Sequence, residues 1–434
     1  MRTQRFLLHT ADRITGALGM LDKPFDVERL LALASRAQDL PGFDTPMIAE
    51  PLQILLRSYE REANLSLVGR FAARWDVIRF LSNLTRLDHE ERRRPEITAA
   101  QIEGPIFVTG LPRSGTTFLH RLLAEDPAHR VPRVWEAIYP YPDPASSAGY
   151  DPRPERVARQ LRAFVRLAPE FPSLHPITSD APQECTEITA HVFRSLRFDT
   201  THDVPSYRRW LDQEGHRDAY RFHKRFLQHL QAQEHQVERW APPRRWVLKA
   251  PEHVLALDSV RAVYPDAHLV FVHRDPLKVL PSVARLTEVI RAPFTRRLDR
   301  VAIGRQVTEH WLQGAACMIA ASRPPYAAGQ IVHVHYRALV AQPLEMVAHV
   351  YRQLGFEFSA AARERVTRLA AREPRGGYGQ NRYSFDDYAL DPAIEAERFR
   401  PYVEHFGVEP ESGLLPHTAA PARAARVGGD ALTA

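Results

Sequence analysis

The sequence predicts an α/β chain: a three-layer core with a central parallel sheet flanked by helices, extended by a helical N-terminal segment and by helical insertions on one side. Three observations predict it. The run Ile106-Phe-Val-Thr-Gly110 reads as a buried strand, and after a short turn Phe118 to Ala124 reads as the helix that follows. From Pro105 onward strand-like and helix-like runs alternate, the pattern of a parallel sheet covered on both faces. Residues 1–100 instead carry helical periodicity with few strand signals.

In order, Asp26 is placed as an N-cap before Val27, Leu30, Leu31 and Leu33, and Pro41-Gly42 closes that helix. Pro51 opens a second helix through Leu52, Leu55 and Leu56, and a third runs from Phe71 to Leu87. The charged stretch Asp88 to Arg94 reads as a solvated helix end. After the first strand and helix come a Pro-rich section, 140–144, and helices near 152–168, 181–196 and 216–239. Strands follow at Trp246–Lys249, His268–His273 and Ile331–His335, with helices at His253–Val263, Leu277–Leu286, through Trp311 to Ala321, and from Pro343 to near Gly355. The expected organisation is a helical subdomain over 1–100, an α/β domain over 101–412 with 133–240 as an acceptor-side insertion, and a disordered tail over 413–434.

Composition narrows the function classes. With 58 Lys+Arg against 52 Asp+Glu the net charge is +6, too mild to call for nucleic acid and suited to a polyanionic small molecule. Two distant cysteines, Cys185 and Cys317, make neither a disulfide framework nor a zinc site, and a reducing compartment is expected. Histidines 175, 191, 223, 229 and 235 lack metal-ligand spacing and read as packing or surface residues. The stretch Met1–His9 has no continuous apolar core of the signal-peptide kind, and no apolar run is long enough to span a bilayer. A cytoplasmic protein is expected, with room for peripheral membrane contact.

The turn between the first strand and helix carries the chemistry. In Gly110-Leu-Pro-Arg-Ser-Gly115-Thr-Thr117 two glycines frame backbone amides that converge on an anion at a helix N-terminus. The spacing is that of a nucleotide-binding P-loop, but Thr116 stands where the lysine belongs and the positive charge has moved to Arg113. Such a P-loop-like turn is ill equipped for the β/γ-phosphates of ATP, yet suits a smaller, less charged group.

Pro112-Arg-Ser-Gly-Thr-Thr117 resembles the 5′-phosphosulfate loop of sulfotransferases that use 3′-phosphoadenosine 5′-phosphosulfate (PAPS). Two later blocks extend the resemblance, Val247-Leu-Lys-Ala-Pro-Glu-His253 and Leu269-Val-Phe-Val-His-Arg-Asp-Pro276 with Ser282, so that it covers about residues 104–360. It implies a sulfuryl transfer from PAPS to a hydroxyl or amine, leaving 3′,5′-ADP. The transferred group carries less charge than a terminal phosphate, so no metal is expected.

The resemblance implies site residues, each weighed against a plainer reading. Arg113, with Ser114, Gly115, Thr116 and Thr117, would hold the phosphosulfate. Lys249 ends a strand at the edge where ligands collect in open α/β sheets and would stabilise the departing phosphate. His253 either faces that cleft or begins the helix as an exposed residue. Glu136, twenty-three residues beyond Arg113, is the expected general base, with His253 as the alternative base and a surface ion pair as the plain reading of Glu136. Arg274 and Ser282 match the family's 3′-phosphate pair, against a plain pairing of Arg274 with Asp275 or another nearby acid. Tyr336 resembles an adenine-side residue, and Arg375 and Arg382 are candidates for a glycine-containing basic loop closing the nucleotide site.

Aromatic residues including Trp135, Tyr139, Phe164, Phe193 and Trp210 suggest a pocket for a hydroxylated lipid, phenol or polyketide-like acceptor, or else core. Two rival readings stand beside this one: an ATP-dependent kinase or NTPase, and a non-catalytic module binding PAPS or its spent form. Acceptor identity and oligomeric state are not legible in the sequence.

Overall fold

The computed structural model describes residues 24–43, 46–142, 150–237, 244–324, 331–372 and 383–411. Five strands, β1 (Ile106–Gly110), β2 (His129–Arg130), β3 (Arg245–Lys249), β4 (His268–His273) and β5 (Ile331–His335), form one sheet in the order β2-β3-β1-β4-β5. Every pairing is parallel. The two-residue strand β2 was not expected; a run that short carries no periodicity signal.

β1 lies at the centre, with Val108 opposite Lys249 on one side and Gly110 opposite Val272 on the other. Sequence order reverses across β1, and the carboxyl ends of β3, β1 and β4 open side by side at this switch point, where open α/β sheets collect ligands. Along β1 the faces alternate. Phe107 joins one apolar cluster, while Ile106 and Val108 join another on the opposite side.

The N-terminal helices are α1 (Val27–Gln38), α2 (Pro46–Arg61), α3 (Leu67–Arg93) and the short α4 (Glu96–Ala99). Asp26 caps α1 as expected, accepting from the Arg29 N–H at 2.9 Å. Pro51 lies inside α2 rather than at its start, because Pro46 takes the first position and Pro51 removes one hydrogen bond near that end. α3 runs through the charged stretch, held by ion pairs such as Arg86–Glu90 at 2.7 Å and Arg92–Asp88 at 2.8 Å. Leu30, Leu52, Leu55 and Phe80 of these helices lie in the same apolar cluster as Phe107, Trp246, Leu248 and Phe271 of the sheet.

After β1 come α5 (Thr116–Ala124), then α6 (Val134–Ile138), α7 (Arg153–Leu167), α8 (Phe171–Leu174), α9 (Cys185–Ala190), α10 (Arg197–Thr201), α11 (Pro205–Glu214) and α12 (Arg217–Val237). The helix expected over 181–196 is thus broken into short pieces. β3 leads into a 3-10 turn, Pro251–Leu255, before α13 (Leu257–Val263). The remaining helices are α14 (Pro276–Arg291), α15 (Arg300–Ala321), α16 (Tyr336–Ala341), α17 (Pro343–Leu354), α18 (Ala360–Arg372) and α19 (Pro392–Phe406). The expected tail, with Arg375 and Arg382, lies outside the described residues. Among the described residues no helix is long and apolar enough to cross a membrane.

Candidate active site

The turn after β1 is compressed, and its glycines are there for space. Gly110 has φ 146°, and a Cβ on it would sit 2.3 Å from the Val272 carbonyl oxygen of β4. Gly115 has φ 94°, and a Cβ there would lie 2.9 Å from the Tyr336 ring. Between them Arg113 adopts φ 62°, a left-handed conformation that costs a non-glycine residue energy and occurs mostly where a site demands it.

That strain aims the Arg113 side chain inward. Its Nε donates to Ser282 Oγ at 3.1 Å and its Nη1 to the Leu174 carbonyl at 2.6 Å. Both partners are neutral, and among the described residues no carboxylate pairs with it. Burial pushes the guanidinium below its ordinary value. Ser114 is fully buried and its Oγ has no partner among the described residues. A half-buried cation with no ion-paired carboxylate among the described residues, beside an orphaned hydroxyl and a helix N-terminus, is a receptacle for an anion.

Lys249, at the end of β3 and 1% exposed, reaches across to this turn. Its Nζ donates to Thr117 Oγ1 at 3.0 Å and pairs with Glu184. Glu184 immediately precedes α9, on a segment laid beside the start of α6: the Val134 and Trp135 N–H groups donate to Ala181 and Ser179 carbonyls, each at 3.0 Å, and the Gln183 N–H to Pro132 O at 2.7 Å. Burial pushes the Glu184 carboxyl up, but Lys249 and, less strongly, His175 outweigh it and hold it below the usual carboxylate range. His175, read from sequence as packing or surface, shares this electrostatic environment. Burial pushes it down to about 4, with Glu184 opposing and Lys249 and Arg113 reinforcing the fall. It is therefore neutral at physiological pH.

The two expected bases lie elsewhere. Glu136 Oε2 accepts the Arg133 N–H at 2.8 Å and its Oε1 faces Arg130 at 3.5 Å, so the side chain closes the N-terminus of α6 in the manner of a capping box. His253 is fully buried, because the 3-10 turn after β3 rotates it under the sheet. Its Nδ1 bonds the Tyr220 hydroxyl and its ring meets Phe107 edge-on at 5.0 Å. Burial holds it well below the ordinary histidine value. Among the described residues no hydrogen bond or ion pair joins either one to Arg113, Thr117 or Lys249, although the Lys249 charge adds to the depression of His253.

Arg274, just past β4, stands over the Tyr336 ring at 3.8 Å and donates from Nη1 to the Arg113 carbonyl at 2.7 Å. Its Nε and Nη2 bond the two carboxylate oxygens of Glu411 at 2.7 and 2.9 Å. Burial lowers its pKa, but the Glu411 hydrogen bond and nearby charges outweigh that and raise it. Arg274 thus pairs with an acid, as the plain reading allows, but with Glu411 rather than Asp275. Asp275 Oδ1 caps α14 through the Leu277 N–H at 2.9 Å, and its Oδ2 accepts the Glu411 N–H, also at 2.9 Å. Ser282 meets Arg113 rather than Arg274, so Arg113 spans the space between the turn and α14.

Apolar residues border the cluster. Leu174, whose carbonyl receives Arg113, packs with Phe164, Phe171, Ile177, Leu286 and Val289. Trp135 and Tyr139 lie in a neighbouring cluster, whereas Phe193 is fully buried in the main core and Trp210 packs against it. Among the described residues no group of three or more His, Cys, Asp or Glu could hold a metal ion.

Glu184 and Glu411 were not singled out in the sequence, and His175 was read there as packing or surface. Lys249 and Glu184 are 65 residues apart, and Arg274 and Glu411 are 137 apart, so no local spacing signals either pair.

Comparison with known proteins agrees with the fold. A family model described as "Sulfotransferase family" matches residues 105–360. The fold matches the crystal structure of sulfotransferase STF1 from Mycobacterium tuberculosis H37Rv, at 30% identity and a TM-score of 0.74, covering 87% of this chain and 99% of that one. It also matches sulfotransferase STF9 from Mycobacterium avium, at 25% identity and a TM-score of 0.78, covering 89% and 99%. A curated relative, omega-hydroxy-beta-dihydromenaquinone-9 sulfotransferase Stf3 of Mycobacterium bovis and Mycobacterium tuberculosis, is 26% identical over 191 residues. That match takes in 43% of this chain and 46% of the relative, so the chain spans about half the length of the curated relatives it matches.

Proposed function

Since this chain belongs to the sulfotransferase family, we propose that it moves a sulfuryl group from PAPS to the hydroxyl, or amine, of a small hydrophobic acceptor, releasing 3′,5′-ADP. The observation that carries the donor reading is Arg113, a half-buried guanidinium whose hydrogen-bond partners among the described residues are neutral, at the head of a strand–turn–helix cradle. A PAPS phosphosulfate supplies the missing negative charge and the transferable group.

In this reading the amides of Ser114 to Thr117 and the Arg113 fork bind the phosphosulfate, with the Thr116 and Thr117 hydroxyls adding donors. Lys249 holds its ammonium beside the phosphate that leaves and offsets the charge developing there. Glu184, kept ionised by Lys249, accepts the proton of the acceptor hydroxyl, a role the geometry favours for it over Glu136 or His253. Neutral His175 stands beside it as a second proton acceptor. Arg274 and Ser282 bind toward the 3′-phosphate, and Tyr336 braces the turn at Gly115.

The apolar cluster around Leu174 and Phe171 forms the wall for the acceptor. The printed name of Stf3, with its menaquinone-type substrate, supports a hydrophobic, lipid-like acceptor for this chain too. Work in the cytoplasm without a metal, with contact to a membrane surface where the acceptor resides, completes the reading.

The test is incubation of the chain and PAPS with a cell extract, followed by a mass-spectrometric search for products heavier by one SO3 group, with calorimetry against 3′,5′-ADP in parallel. A sulfonated product confirms the reading. Nucleotide binding without transfer to any acceptor would favour a binding module, and a folded chain indifferent to both nucleotides would end the donor reading.

A further inference from the structure

We propose that Glu411 is an internal competitor for the 3′-phosphate of the nucleotide, a carboxylate that occupies Arg274 until a phosphate displaces it. The proposal rests on the donor reading above.

The Nε–Nη2 edge of Arg274 meets both carboxylate oxygens of Glu411 at 2.7 and 2.9 Å. This parallel two-bond geometry is the one with which arginine also grips phosphate. The third nitrogen of Arg274, Nη1, already serves the Arg113 carbonyl at 2.7 Å, so the Nε–Nη2 edge that Glu411 covers is the one a phosphate would need for a two-bond grip. Both side chains are largely shielded, at 19% and 18% exposure, where an ion pair is screened less than at an open surface.

Glu411 is delivered there by a short strap leaving α19. The Val408 N–H returns to the Val403 carbonyl at 3.0 Å, Glu409 pairs with Arg337 at 2.6 Å, and the Glu411 N–H bonds Asp275 Oδ2 at 2.9 Å. Arg337 adjoins Tyr336, and Asp275 adjoins Arg274. The strap is thus pinned to the two segments that carry the nucleotide-side residues.

A phosphate monoester brings nearly two charges and three acceptor oxygens, against one charge and two oxygens for Glu411. It can therefore displace the carboxylate, but its apparent affinity is reduced by the fraction of chains in which the clasp is closed. PAPS and spent 3′,5′-ADP carry the same 3′-phosphate, so both are held less tightly than Arg274 alone would hold them. For the spent nucleotide this assists departure, a step that limits turnover in many enzymes.

The experiment compares wild type and Glu411→Gln by calorimetry with 3′,5′-ADP and with 5′-AMP, which lacks the 3′-phosphate. The variant is expected to bind 3′,5′-ADP more tightly, by roughly tenfold if the clasp is open in about one chain in ten, and 5′-AMP within about twofold of wild type. Unchanged or weaker 3′,5′-ADP binding overturns the proposal, as does an equal gain for both nucleotides, which would report only relief of negative charge. If wild-type protein binds neither nucleotide, the donor reading falls and this proposal falls with it. Hydrogen exchange on wild type supplies a readout independent of the variant's folding. The Glu411 amide should exchange faster when 3′,5′-ADP is bound, and equal or slower exchange counts against the clasp.

Discussion

Lys249 Nζ donates to Thr117 Oγ1 across 3.0 Å while pairing with Glu184, so one ammonium joins the end of β3, the first turn of α5 and the segment leading into α9. Three elements distant in sequence are thereby fixed around one charge. The roles assigned to Lys249, Glu184 and Arg113 follow from that contact and its surroundings, and each can be checked separately.

Under the proposed reaction, Lys249→Ala removes the donor that would meet the leaving phosphate. Turnover should fall by roughly 10²–10³, the usual loss for one preorganised donor, while 3′,5′-ADP affinity changes much less. Steady-state rates and calorimetry together decide; an equal loss in both would make Lys249 a binding residue only. Because Glu184 is left without its partner, the thermal midpoint should also drop, which circular dichroism would record.

Glu184→Gln should bind 3′,5′-ADP nearly as wild type does yet lose about 10²–10⁴ in turnover, the usual scale of general base catalysis. Glu136→Gln is the companion experiment. It should retain turnover and change stability little, because the glutamine amide oxygen can still accept the Arg133 N–H. Reversed results would return the base to Glu136. Retained activity in Glu184→Gln with loss in His175→Ala would move it to the histidine.

Arg113→Met keeps the length of the side chain and discards its charge. Since burial already disfavours that charge and its partners are neutral, the nucleotide-free chain should melt no earlier than wild type. Affinity for 3′,5′-ADP should weaken by roughly 10- to 100-fold, in line with ~1.5–3 kcal/mol for charged hydrogen bonds. A fall in melting temperature with undiminished binding would make Arg113 a structural residue.

Glu252 predicts a pH effect. It is buried, accepts the Leu196 N–H at 3.0 Å and the Thr189 hydroxyl at 3.2 Å, and burial pushes its carboxyl from 4.5 up to about 7. The folded chain therefore keeps a proton that the unfolded chain gives up. The stability this confers is complete below about pH 4.5 and lost as pH rises through about 7, with a span of about 3 kcal/mol at most. Glu252→Gln removes the dependence, so its unfolding free energy relative to wild type should climb between about pH 5 and pH 8. A flat difference in denaturant titrations would show that Glu252 does not titrate in that window.

What was legible in the sequence was local. The strand–turn–helix at 106–124, the caps and the strand ends at Lys249 and Arg274 follow from neighbouring residues, and the structure has them. Glu184 and Glu411 reach their partners only through the order of strands and the path of the inserted helices, which no short window encodes. Glu136 is a different case. Its capping interaction with the Arg133 N–H lies three residues away and was open to local reading, but its distance from Arg113 suggested chemistry instead. His253 was misplaced by one turn of backbone: a regular helix from that residue leaves it exposed or in the cleft, whereas the 3-10 turn Pro251–Leu255 sends it inward.

The apolar cluster that Leu30, Leu52 and Phe80 share with Phe107 and Trp246 sets a limit on how the chain can be cut. A fragment beginning near residue 100 keeps every residue matched by the family model, yet it would strip the inserted helices of their partners, since Arg79 pairs with Glu187 at 2.6 Å and Asn83 donates to the Ile138 carbonyl at 2.9 Å. Expressed alone, such a fragment should aggregate, and supplying residues 1–100 as a separate polypeptide should recover soluble material. On this view the leading helices serve the site only indirectly, as a brace behind the inserted segments, one of which carries Glu187 three residues beyond Glu184.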